Sequence, residues 1–318
     1  MGIHKFNWSY LLSISLVSAM GGLLFGYDWV VIGGAKPFYE PFFGITGNPG
    51  LQGWAMSCAL AGCLIGAVLS GWLSDRFGRK RLLILSASLF VIASLGTGGA
   101  GSFTTFVIFR IVGGMGIGLA SNLSPMYIAE ITPGSVRGRF VSINQLTIVI
   151  GILAAQLINW RIAQPVAAEA TTADILASWN GQMGWRWMFY ACTIPAALFF
   201  IFMWFVPESP RWLAKNKGNH HKVHKILAKI GGIDYADSEL ISIEDTLRTT
   251  SEKTGFNILK QPGILKLLIL GAALAVFQQW CGINVIFNYA QEIFSNAGYN
   301  VSDILFNIVI TGSVNLVF

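Results

Sequence analysis

Residues 51–100 read LQGWAMSCALAGCLIGAVLSGWLSDRFGRKRLLILSASLFVIASLGTGGA, two uncharged runs on either side of a short charged turn. The runs, 51–73 and 82–100, each have about the 20 mostly apolar residues that a helix needs to cross a hydrocarbon layer. Between them, charge is confined to Asp75, Arg76, Arg79, Lys80 and Arg81. This is the pattern of a helical hairpin through a bilayer, with its turn in water.

The same reading extended outward finds further runs at 9–35, 102–128, 137–160, 187–206, 265–291 and 302–318, eight in all. Hydrophobic residues make up 54% of the chain and charged residues 11%, against about 25% charged in a soluble domain. Mean hydropathy is +0.60. A lipid bilayer is therefore the expected solvent, and an ordinary soluble domain is excluded. The first run is too long for the apolar region of a signal peptide and lacks a small-residue cleavage site, so it is expected to remain as the first span. The eighth run reaches Phe318 without a polar tail, and the chain is expected to stop short of the complete protein. Cys58, Cys63, Cys192 and Cys281 all fall in apolar runs without metal-ligand spacing and read as small apolar helix residues.

Lys and Arg set the expected orientation. With a cytoplasmic amino terminus, 17 of the 21 lie inside, Lys36, Arg161 and Arg186 are left outside, and Arg110 falls within a span. The net charge of +6 then reports topology, and no nucleic-acid partner is expected. The expected division is a six-helix half (1–206), a cytoplasmic linker (207–264) and two spans of a second helical set (265–318). In the linker, Val223, Ile226, Leu227 and Ile230 recur at helical spacing, as do Leu240, Ile243 and Leu247. His220 and His224 stand four apart, a possible metal pair, but with Lys222 and Lys225 on the same turn they read as a solvated basic face.

Ionisable residues within a span are costly and suggest function. Asp28 in the first span and Arg110 in the fourth are expected at matching depth, as a buried pair. One reading of that pair is a static salt bridge. The other is a protonation switch: burial favours the neutral acid and the guanidinium favours the carboxylate, so a moving Arg110 would load and unload a proton on Asp28. Amides point to a ligand. Gln145 and Gln156 share a face of the fifth span, and Gln278, Gln279, Asn284 and Asn288 interrupt the seventh. Gln279 and Asn284 would diverge on a regular helix, so local unwinding at Gly282 is expected to turn them toward one cavity. Such a set suits a neutral, hydroxyl-rich ligand; interhelical hydrogen bonding is the alternative. Gly62 with Gly66, and Gly114 with Gly118, have the spacing for close helix packing. The run 114–118, GMGIG, follows no strand and is rejected as a nucleotide loop. With no nucleophile–base set or phosphate loop, neither enzyme activity nor a cofactor or metal is expected.

Several stretches together resemble the sugar porters of the major facilitator superfamily. They are Gly71-Trp72-Leu73-Ser74-Asp75-Arg76-Phe77-Gly78-Arg79-Lys80, Pro207-Glu208-Ser209-Pro210-Arg211-Trp212, Arg137-Gly138-Arg139, Gly184-Trp185-Arg186 and Gln278-Gln279 with Gly282-Ile283-Asn284. The resemblance implies an all-α bundle of twelve spans in two halves, importing a monosaccharide with a proton by alternating access across the cell (inner) membrane. It implies that Asp28 is the proton-coupling acid and Arg110 its partner. It makes Phe25, Gln145, Gln278, Gln279, Asn284 and Asn315 the sugar contacts. Asp75, Arg76, Arg79, Glu130, Arg137, Glu208 and Arg211 become a cytoplasmic charge network. Facilitative relatives usually have an amide where Asp28 stands, which favours symport over uniport. Asn288 stands where a xylose-transporting member has an aromatic residue. A non-transporting sugar sensor and a non-functional remnant are the other readings. The first six spans are expected to form a compact bundle, with the seventh and eighth laid against its inner side.

Overall fold

The computed structural model describes residues 6–167, 169–217, 219–251, 262–282, 285 and 289–317. Every regular element among them is helical. Asn48 shows how a span begins: its side chain accepts the Leu51 N–H at 3.2 Å and Pro49 opens α2 (Pro49–Phe77), satisfying one of the amides a helix start leaves without a partner. Gly78, at φ +94°, ends α2 and lets α3 (Arg79–Gly98) start at once. Ser102 repeats the Asn48 device for α4 (Phe103–Ile131), accepting the Thr105 N–H at 3.2 Å. The other spans are α1 (Trp8–Phe43), α5 (Arg137–Ile162), and a π-helical turn (Asn180–Gly184) continued by α7 (Trp185–Ala191) and α8 (Thr193–Met203); α6 (Thr172–Ala177) lies before that turn.

The chain forms two compact units: Ser9–Ser209 with Asn288–Phe318, and Met1–Trp8 with Pro210–Phe287. In the first, the glycine spacing works as expected. A Cβ on Gly62 or Gly66 would run into the backbone of Ile111 or Met115, and one on Gly114 or Gly118 into that of Ala59 or Cys63. Reciprocal absence of side chains lets α2 and α4 pack backbone to backbone. The α1–α5 contact uses Gly26 and Gly151 alike, and Thr147 and Asn159 of α5 donate to the carbonyls of Ala19 and Val31 at 2.8 and 3.0 Å. Where α1 ends, Tyr39, Phe43, Phe106, Trp185 and Phe189 form a ring cluster. Arg186 donates to the carbonyls of Gly98 and Ala100 at 2.8 Å each, capping α3. Helices α13 (Ala290–Asn296) and α14 (Val301–Val317) complete this unit. As expected for the eighth span, α14 packs against α5, with Trp160 and Phe306 rings 5.9 Å apart.

The second unit holds α9 (Pro210–Lys217), α10 (His220–Gly231), α11 (Ile233–Ser251) and α12 (Pro262–Trp280). Val223, Ile226, Leu227, Ile230 and Ile243 are buried between α10 and α11, as their spacing implies. His220 and His224 lie on the solvated face, as expected, and there they pair with Glu244 and Asp237 of α11, each at 2.9 Å, where the apolar contact brings the two helices together. Asn7 donates to the Ile230 carbonyl at 2.8 Å, a tie that periodicity does not reveal.

Two expectations need correction, the ends of the first and seventh runs. The first span runs on to Phe43 rather than ending at residue 35, passing through Pro37 and Pro41. Lys36 is therefore a buried helix residue, 3% exposed, and not an outer loop charge. The expected number of about eight spans agrees: seven helices among the described residues are long and apolar enough to cross a membrane, and a shorter apolar helix at Asp303–Val317 occupies the eighth run. The seventh run does not continue to residue 291: α12 ends at Trp280 and Gly282 follows at φ +77°, consistent with local unwinding there. None of the described side chains of α12 is buried.

Candidate functional site

Asp28 and Arg110 meet inside the first unit, 7% and 3% exposed. Arg110 Nη1 donates to Asp28 Oδ1 at 2.8 Å and Oδ2 at 2.9 Å. The guanidinium also lies 5.7 Å from the centre of the Phe189 ring, and its Nε is buried without a hydrogen-bond partner. Tyr27 next to Asp28 is anchored through its hydroxyl to the Met188 carbonyl at 3.2 Å. The pair thus joins α1 and α4 with α7 packed over it. Between this pair and the Phe43–Phe103 ring contact at 6.1 Å, α1 spends 15 residues and α4 seven, about 22 against 10 Å of rise. Pro37 and Pro41 sit in the longer α1 stretch, where each removes a backbone donor from the helix.

A second charged cluster gathers where α2 meets α3. Glu208 Oε1 accepts the backbone N–H groups of Arg79 (3.0 Å), Lys80 (3.0 Å) and Ser209 (2.9 Å), capping the start of α3 with a carboxylate. Arg79 reaches Glu130 at 3.0 Å and Asp75 at 3.4 Å. Tyr127 holds the chain before Glu208 by donating to the Pro207 carbonyl at 2.7 Å. Four of the seven expected network residues are thus together. Arg76 instead stacks over Trp72 and Phe77, Arg137 is half-buried at the start of α5, and Arg211 belongs to the other unit.

The amides are not assembled in the same way. Gln145 is exposed on α5, whereas its partner in the face argument, Gln156, is 2% exposed and lies against Gly312 of α14, neither amide atom hydrogen-bonded. Asn315 is half-buried on α14, and Phe25 is half-buried with its ring 6.3 Å from that of Trp29. Gln278 and Gln279 lie on exposed α12 positions in the other unit. Asn284 and Asn288 fall outside the described residues. The His220–His224 pair forms no metal cluster, and no group of three or more ligating side chains occurs among the described residues.

Long apolar helices packed on glycine, with a charge pair between them and a capped charge cluster at one end, are the build of a multi-spanning helical membrane protein. The chain matches the family described as sugar (and other) transporter over residues 14–318, and it belongs to that family. It is 39% identical to the D-xylose-proton symporter of Escherichia coli K12, over 99% of this chain and 66% of that protein. To the arabinose-proton symporter of Bacillus subtilis 168 it is 37% identical, over 98% of this chain and 64% of that one. The E. coli xylose symporter XylE bound to 6-bromo-6-deoxy-D-glucose superposes with a TM-score of 0.85 at 38% identity, covering 98% of this chain and 68% of XylE. The chain therefore spans about two thirds of the length of these relatives.

Proposed function

We propose that this chain serves proton-coupled import of a monosaccharide, a pentose or hexose, by alternating access. The observation that carries the reading is the buried Asp28–Arg110 pair: an ionisable pair inside an apolar membrane bundle is costly, and such pairs mark ion and proton pathways. Relatives named for xylose, arabinose and galactose transport with a proton support the ligand class. In this reading Phe25, Gln145, Gln278, Gln279, Asn284 and Asn315 contact the sugar. Asp75, Arg76, Arg79, Glu130, Arg137, Glu208 and Arg211 lock the cytoplasmic side. The functional division is a first half at 1–206, a linker at 207–264 and the second set from 265. The protein sits in the cell (inner) membrane with its amino terminus in the cytoplasm, and transports its ligand chemically unchanged, without a cofactor.

The test is Asp28→Asn in the protein that contains this sequence. Accumulation driven by a pH gradient should be lost while sugar counterflow persists. Normal uphill accumulation in the variant would overturn the assignment of Asp28.

A further inference from the structure

Lys36 lies two helical turns beyond Asp28 on α1 and is 3% exposed. An ammonium at that depth is tolerated only with partners. Its Nζ pairs with Glu292 of α13, lies 3.9 Å from Glu40 one turn on along α1, and stands 5.2 Å from the centre of the Tyr289 ring. Glu40 is 6% exposed and accepts from Gln52 Nε2 of α2 at 2.7 Å. One ammonium thus serves two carboxylates, and Glu40 Oε1 and Glu292 Oε2 are buried without hydrogen-bond partners. The other attachment of α13 is apolar: Ala290 is buried with Ile304 and Ile308, and Phe294 packs on them. The cluster touches α2 at Gln52, near its start, whereas Arg79 follows its end, about 27 residues or about 40 Å away.

We propose that Lys36 is an electrostatic latch for α13. With α13 seated, Lys36 pairs with Glu292; with α13 lifted, it re-pairs with Glu40, already within 4 Å on its own helix. The same ammonium is compensated in both arrangements, so movement of α13 strands no buried positive charge. The electrostatic part of the free-energy difference is reduced to that between two carboxylate partners, as a bistable element requires. Only the purpose of the latch, closing the bundle at the end remote from Arg79, rests on the transporter reading; the exchange of partners rests on the geometry.

Amide hydrogen exchange on the whole protein in lipid nanodiscs tests it without reference to sugar or proton movement. Lys36→Gln and Glu292→Gln should each speed exchange of residues 290–296 at least tenfold, with α2 and α4 unchanged. Lys36→Arg should keep the protection, and Glu40→Gln should increase it by removing the competing partner. Unchanged exchange in 290–296 for both loss variants overturns the latch, as does equal loss of protection in α2 and α4, which would make Lys36 a general stabiliser. Loss of protection in Glu40→Gln as large as in Lys36→Gln overturns the exchange of partners.

Discussion

Buried charge in this chain comes in sets: Asp28 with Arg110, Lys36 with Glu40 and the half-exposed Glu292, and Arg79 with Glu130. Removing one member leaves an ion in a medium that cannot solvate it. Arg110→Ala should therefore lower stability by about 3–5 kcal/mol. Asp28→Asn/Arg110→Met should recover most of that loss, since no charge then remains to be compensated. Thermal unfolding in detergent reads both, and a single variant as stable as the parent would show that the pair is not energetically coupled. Asp28 and Arg110 were legible as ionisable residues inside apolar runs. Lys36 and Glu40 were not, because Pro37 makes the helix look finished at residue 35. In the folded protein Pro37 and Pro41 lie within α1, as prolines can in a membrane helix whose neighbours satisfy the freed carbonyls.

Helix packing at the scale of elements rests on glycine. Gly62→Leu should cost about 1–3 kcal/mol or prevent folding, because its Cβ would meet the Ile111 carbonyl and backbone must move to admit it. On the same helix, a Cβ added at Gly53 would meet nothing within 4 Å. Gly53→Ala should be neutral or stabilise by up to about 1 kcal/mol through the helix preference of Ala. Equal effects of the two substitutions in a thermal unfolding assay would remove close backbone approach as the cause. The GxxxG spacings suggested such contacts, but not which backbone each glycine faces. The linker helices α10 and α11 were more legible, since their apolar residues recur on one face and their charges on the other. The pairing of His220 and His224 across that contact depends on how the two faces are turned toward each other.

For the whole molecule, the distribution of Lys and Arg makes a topological claim. The α3–α4 turn at Gly101 should lie outside and the α4–α5 turn at Gly134 inside. Both glycines are exposed with open space around a Cβ, so cysteine is expected to be accommodated at either. A membrane-impermeant maleimide added to intact cells should label Gly101→Cys and spare Gly134→Cys until the membrane is opened. The opposite pattern would invert the orientation.

Class, helix number to within one, the amphipathic linker and the Asp28–Arg110 candidates follow from the sequence alone, because apolar run length, charge placement and one-face periodicity are local properties. Tertiary structure decided what depends on the rotation and path of each helix among its neighbours. It put Gln156 inside and Gln145 outside, although the two share a helix. It also brought Glu208 to the start of α3 and Glu292 to Lys36, across sequence separations of 129 and 256 residues. A span that is apolar on every side leaves no pattern in its sequence from which such facing could be read; only packing against its neighbours sets it.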